Sequence, residues 1–90
     1  MSNFNARSGL IYLSPVDSRK SFYNKCYVIE DEHGKMLYSY NTLVARYMNG
    51  KIYRVWPGYS STTMRHINAF AAYCGINKGG KKWWDSLEFI

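Results

Sequence analysis

"YMNGKIY", Tyr47 to Tyr53, decides the fold. Asn49-Gly50 stands between two runs of strand-forming residues, and a two-residue type I′ turn needs left-handed backbone at both central positions, which Asn and Gly adopt most readily. A hairpin centred there fixes a register. Met48 faces Lys51, Arg46 faces Tyr53 and Val44 faces Val55 on one side of the ribbon, while Leu43, Ala45, Tyr47, Ile52, Arg54 and Trp56 share the other. The second set is the more apolar and is expected to face the core. Arg46, Lys51 and Tyr53 are then left together outside as a cation–aromatic patch.

Upstream, "MLYSYNTLVARYM" (36–48) reads as one long strand, or as two short ones joined at a bulge near Ser39 to Asn41. "SFYNKCYVIE" (21–30) is rich in aromatic and β-branched residues, and "DEHGK" (31–35) supplies the turn that reverses it. Leu10 to Leu13 reads as an N-terminal strand ended by the loop around Pro15, and residues 1–8 are expected to be loosely ordered. Downstream, Pro57-Gly58 ends the ribbon. A helix is predicted over about 61–74, capped by one of Ser60, Ser61 and Thr62. It buries Ile67, Phe70, Ala71 and Cys74 and stops at Gly75, with Ile76 folding back. "NKGGKK" is a loop and "WWDSLE" a short C-terminal helical segment. The sum is one α+β domain over 1–90: an antiparallel sheet of three to four strands, with the main helix packed on one face.

Aromatics make up 18% of the 90 residues, and no apolar run approaches the roughly 20 residues of a membrane span. The N-terminus has neither the charge nor the apolar stretch of a secretory signal, so the cytoplasm is the expected compartment. Cys26 and Cys74 lack metal-binding or redox spacing and are expected to be free thiols. The net charge of +6 is unevenly spread: from His33 to Trp84 there is no carboxylate, while Lys35, Arg46, Lys51, Arg54, Arg65, Lys78, Lys81 and Lys82 all fall there. A purely cationic middle favours an anionic partner such as nucleic acid, a nucleotide or an acidic protein surface.

The start of the helix, "YSSTTMRHIN" (59–68), sharpens that expectation. Helix starts carry partial positive charge and attract Asp or Glu, yet this one is read with Arg65 and His66 in its first turn. Free amides, the hydroxyls of Ser61, Thr62 and Thr63, and two cationic side chains are the elements of a phosphate site. A structural account uses the same residues differently: Ser and Thr as ordinary caps, Arg65 lying across Tyr59, and His66 neutral at the sheet edge. Catalysis finds little support, because no carboxylate near in sequence orients His66. There is no nucleotide-binding glycine fingerprint, and the His and Cys positions lack zinc spacing, so neither a cofactor nor a metal is expected. Exposed tyrosines on a sheet and the lysines beside Trp83 and Trp84 add to the case for nucleic acid; the tryptophans equally suit a core lid.

"RKSFYNKCYVIED", "LYSYNTLVARY", "NGKIYRVW" and "YSSTTMRHINAF" resemble segments of a family of small, largely uncharacterised proteins encoded by phages and prophages. The resemblance runs from Arg19 to Leu87 and is most specific at Ser39-Tyr40-Asn41-Thr42 and Ser60 to His66. It implies a mobile-element origin and action in the host cytoplasm, and brings no transferable activity. The expectation is therefore a non-enzymatic binding protein whose basic surface contacts nucleic-acid phosphates through Ser61, Thr62, Thr63, Arg65, His66, Arg46, Lys51 and Tyr53. An inhibitor of a host defence protein and a nucleotide-signal sponge are the alternatives.

Overall fold

The computed structural model describes residues 9–15, 22–76 and 80–90. The expectation for residues 1–8, and the cation Lys78, lie outside them. Five strands run β1 (Gly9–Tyr12), β2 (Cys26–Asp31), β3 (Gly34–Ser39), β4 (Thr42–Met48) and β5 (Lys51–Arg54), followed by α1 (Ser61–Cys74) and α2 (Gly80–Ser86). The strands form one antiparallel sheet in chain order, β1-β2-β3-β4-β5. The class is α+β, as the sequence indicates, with five strands where three to four were expected.

The extra strand comes from residues 36–48, which hold neither one long strand nor a bulge at Ser39 to Asn41. Tyr40 and Asn41 both take left-handed backbone, φ 51° and 68°, and turn the chain back on itself between β3 and β4. This is the same two-residue reversal that Asn49-Gly50 makes, with φ 54° and 79°. A bulky aromatic at the first position is unusual for such a turn, which is why the sequence conceals it.

At the Asn49-Gly50 hairpin the expected pairs form: Met48 with Lys51, Tyr47 with Ile52, Arg46 with Tyr53, Ala45 with Arg54. Val44 departs from the scheme. It is an extra residue between the Leu37–Ala45 and Tyr38–Leu43 pairs of β3 and β4, and its carbonyl accepts from both Val55 and Trp56 N–H. A bulge of this kind breaks the two-residue alternation. Val44 and Ala45 are consequently both buried, and Leu43, expected inside, pairs with Tyr38 on the outer face.

The inner face presents Cys26, Val28, Leu37, Ala45 and Ile52 to Met64, Ile67, Phe70 and Ala71 of α1 and Trp84 of α2. Cys26 is buried, Cys74 is half-buried, and both are free thiols. Desolvation pushes the Cys26 thiol up to about 12, so it behaves as a small apolar residue. Among the described residues Arg54 is the one buried cation, 5% exposed. Its guanidinium lies against the Trp84 and Phe89 rings and donates to the carbonyls of Trp56, Gly58 and Trp84 and to Asp85. The Trp84 indole N–H donates to Gly58 O at 3.0 Å, and Arg54 N and Ile90 N bond across to Glu88 O and Arg54 O. Arg54 thus ties β5, the Pro57-Gly58 loop, α2 and the C-terminal residues into one unit.

Candidate functional site

The start of α1 is built as the cap rule requires. Ser60 has extended backbone, its side chain accepts from Thr63 N at 3.0 Å, and no acidic residue occupies the first turn. With Ser60 as the cap, Arg65 and His66 fall in the second turn rather than the first, which removes the charge conflict read from the sequence. Ser61 and Thr62 are exposed, whereas Thr63 and His66 point inward and are 8% and 1% exposed. The Thr63 hydroxyl lies 3.5 Å from Ser39 Oγ, and Ser39 Oγ shares a 2.7 Å hydrogen bond with His66 Nδ1.

The imidazole is wedged between rings, 4.4 Å from Phe22 and 5.5 Å from Tyr40. Burial, reinforced by the neighbouring Arg65 charge, lowers the His66 pKa to about 4. His66 is therefore neutral at physiological pH and cannot supply the positive charge expected of it. Arg65 does, with its guanidinium 5.1 Å from the Phe22 ring centroid. Of the helix-start residues, Ser61, Thr62 and Arg65 face outward, while Thr63 and His66 brace the helix against β3.

Beside them opens a cleft of about 410 Å³. One wall is α1, through Thr62, Arg65 and His66; the other is a pair of turns carrying Phe22, Tyr23, Lys25 and Tyr40. Phe22 to Lys25 form a second left-handed turn, with Tyr23 at φ 52° and Asn24 at φ 62°, closed by Lys25 N donating to Phe22 O. Tyr40 N donates to Lys25 O at 2.8 Å and holds the two Tyr-Asn turns side by side. Sequence reading missed Tyr23, Lys25 and Tyr40; the only available signal was the repeated Tyr-Asn dipeptide.

The remaining expected residues, Arg46, Lys51 and Tyr53, lie on the opposite face of the sheet, because they alternate with Ala45, Ile52 and Arg54 of the inner face. The structure does not bring the two halves of the expected site together. The outer face has its own organisation. Tyr12, Tyr27, Tyr38 and Leu43 align across β1 to β4, and Leu10, Ile29, Met36, Arg46 and Tyr53 align across all five strands. None of these residues is buried, and both helices pack on the other side. Tyr27 and Tyr38 stack at 5.2 Å with their rings 4° from parallel, Tyr12 meets Tyr27 edge-on at 5.9 Å, and the Tyr27 hydroxyl donates to Asn41. Arg46 Nε is covered yet has no hydrogen-bond partner. Lys51 sits 5.4 Å from the Tyr53 ring and 3.4 Å from Glu88.

The tryptophans serve the core instead: Trp84 is fully buried and Trp83 packs against the cluster. Among the described residues no group of three His, Cys, Asp or Glu side chains could hold a metal ion, and no helix is long and apolar enough to cross a membrane.

The domain is thus α+β, with both helices on one face of a meander sheet and a tyrosine-rich opposite face. The chain belongs to a family of unknown function, DUF8033, which it matches over residues 11–86. No curated protein and no solved structure matches it.

Proposed function

We propose that the protein is a non-enzymatic nucleic-acid-binding module that takes a single strand across the outer face of its sheet. The observation that carries this is the row Tyr12–Tyr27–Tyr38, whose neighbouring rings touch on the face that no helix covers, with Arg46 on the adjacent row of that face and Lys51 farther along it on the edge strand. Bases stack on aromatic side chains of such faces, while cations alongside hold the backbone. Arg46 is only half-buried, and the terminal nitrogens of its guanidinium offer a phosphate charge-assisted donors. The chain's net charge of +6 adds long-range attraction. The resemblance to phage-encoded proteins is consistent with a role in an infected host's cytoplasm.

Anisotropy titration of labelled single- and double-stranded DNA and RNA at several salt concentrations tests the reading. Single strands are expected to bind more tightly, with affinity falling as salt rises. Tyr38→Ala should weaken binding about tenfold or more, and Arg46→Ala should reduce the salt slope by about one. Absence of binding at low salt, or binding without salt dependence, overturns it. Leu10, Ile29 and Met36 give the same face an apolar strip that also suits an inhibitor of a host protein. Capture from nuclease-treated host lysate separates the two, since only a protein partner survives that treatment.

A further inference from the structure

We propose that the cleft between the two Tyr-Asn turns and α1 is a binding site for a nucleoside phosphate, either a free nucleotide or the phosphorylated end of a strand. Its volume of about 410 Å³ lies within the range of small-ligand sites. Phe22, Tyr23 and Tyr40 give it aromatic walls and share the lining with the cations Lys25 and Arg65. A planar base with an attached anion matches that division of chemistry, the rings taking the base and the cations the phosphate.

The backbone adds a second argument. Tyr23 and Tyr40 sit at φ 52° and 51°, a conformation that Asn or Gly adopts at little cost and a bulky aromatic does not. Both side chains stay largely in solvent, 67% and 54% exposed, with the Tyr40 ring 5.5 Å from that of His66. Each turn therefore holds an aromatic ring at the mouth of the cleft where a residue better suited to the turn would leave none. The His66 ring in the α1 wall is held by Ser39 and wedged between Phe22 and Tyr40. This inference is independent of the sheet-face reading, since Tyr27 and Tyr38 lie across the sheet from the cleft.

The test is an amide-resolved NMR titration of the whole protein with AMP, adenosine and inorganic phosphate, and with one oligonucleotide carrying either a 5′-phosphate or a 5′-hydroxyl. AMP should shift the amides of Tyr23, Asn24, Tyr40, Asn41 and Arg65, with adenosine or phosphate alone binding at least about tenfold more weakly. Preference for the 5′-phosphorylated strand over AMP identifies a strand end as the source, and the reverse identifies a free nucleotide. Tyr40→Asn should keep the melting temperature or raise it while weakening AMP binding about tenfold or more. Lys25→Ala, at an exposed position, should weaken AMP but not adenosine, and it decides the matter if Tyr40→Asn does not fold. Arg46→Ala should leave AMP binding intact even if it weakens strand binding. The inference is overturned if neither millimolar AMP nor the phosphorylated strand shifts the cleft amides, or if Tyr40→Asn and Lys25→Ala bind AMP like the parent protein.

Discussion

Lowering the pH should destabilise the fold through His66 before the carboxylates titrate. The folded pKa is about 4, against an ordinary 6.5, because the ring is desolvated and stands beside Arg65; Lys25 lines the same cleft. The folded protein therefore keeps His66 neutral while the unfolded chain gains a proton below pH 6.5, so stability is full above that value and lost as pH falls toward 4. Worked through the linkage relation, the loss between about pH 7.5 and about pH 5 is about 2 kcal/mol. For a domain of this size that corresponds to a fall in melting temperature of roughly 8–16 °C. Thermal melts followed by circular dichroism across that interval measure it. His66→Gln should melt lower at neutral pH, having lost the wedge, but with most of the pH slope gone. A flat profile in the parent protein, or an unchanged slope in the variant, refutes the argument that the buried imidazole is held neutral.

The Arg54 clamp should dominate single-residue stability. Arg54→Ala removes a buried stem, two ring contacts and the donors of three carbonyls, and urea denaturation should show a loss of about 3–4 kcal/mol. Arg54→Lys should recover less than half of that, because an ammonium cannot reproduce the fork. Asp85→Asn should matter little: its carboxyl is held below the usual range first by Lys81 and only secondarily by Arg54, in a solvent-exposed position. Gly34→Ala places a Cβ on the Tyr47 carbonyl oxygen at φ +144°. A loss of at least about 2 kcal/mol, read from the denaturation midpoint, is expected there.

Where local chemistry and tertiary structure agree, the sequence is transparent. Asn49-Gly50 announces its turn and thereby the pairing of four residues on each side, and the cap, stripe and stop of α1 follow from Ser60, Ile67-Phe70-Ala71 and Gly75. Tyr40-Asn41 defeats the same logic, because nothing local favours a tyrosine in left-handed backbone, and only the surrounding contacts hold it there. The bulge at Val44 is hidden for a related reason: Leu, Val and Ala in succession carry no alternation to show which residue is extra. The turn created the cleft, while the Asn49-Gly50 register had already set Arg46, Lys51 and Tyr53 on the face of the sheet away from the core. The inward roles of Thr63 and His66 were out of reach, since an exposed anion site and a buried Ser39–His66 hydrogen bond begin with the same letters.

Because every strand pairs with its neighbour in the chain, and three of the four connections are two-residue reversals, the sheet can zip up in the order in which the polypeptide emerges from the ribosome. Closing the far end must wait. Arg54 meets Trp84 across thirty residues, so a nascent chain halted before α2 would carry a paired meander whose guanidinium had only the nearby Trp56 and Gly58 carbonyls for company, until the indole and the residues after it arrived to cover it.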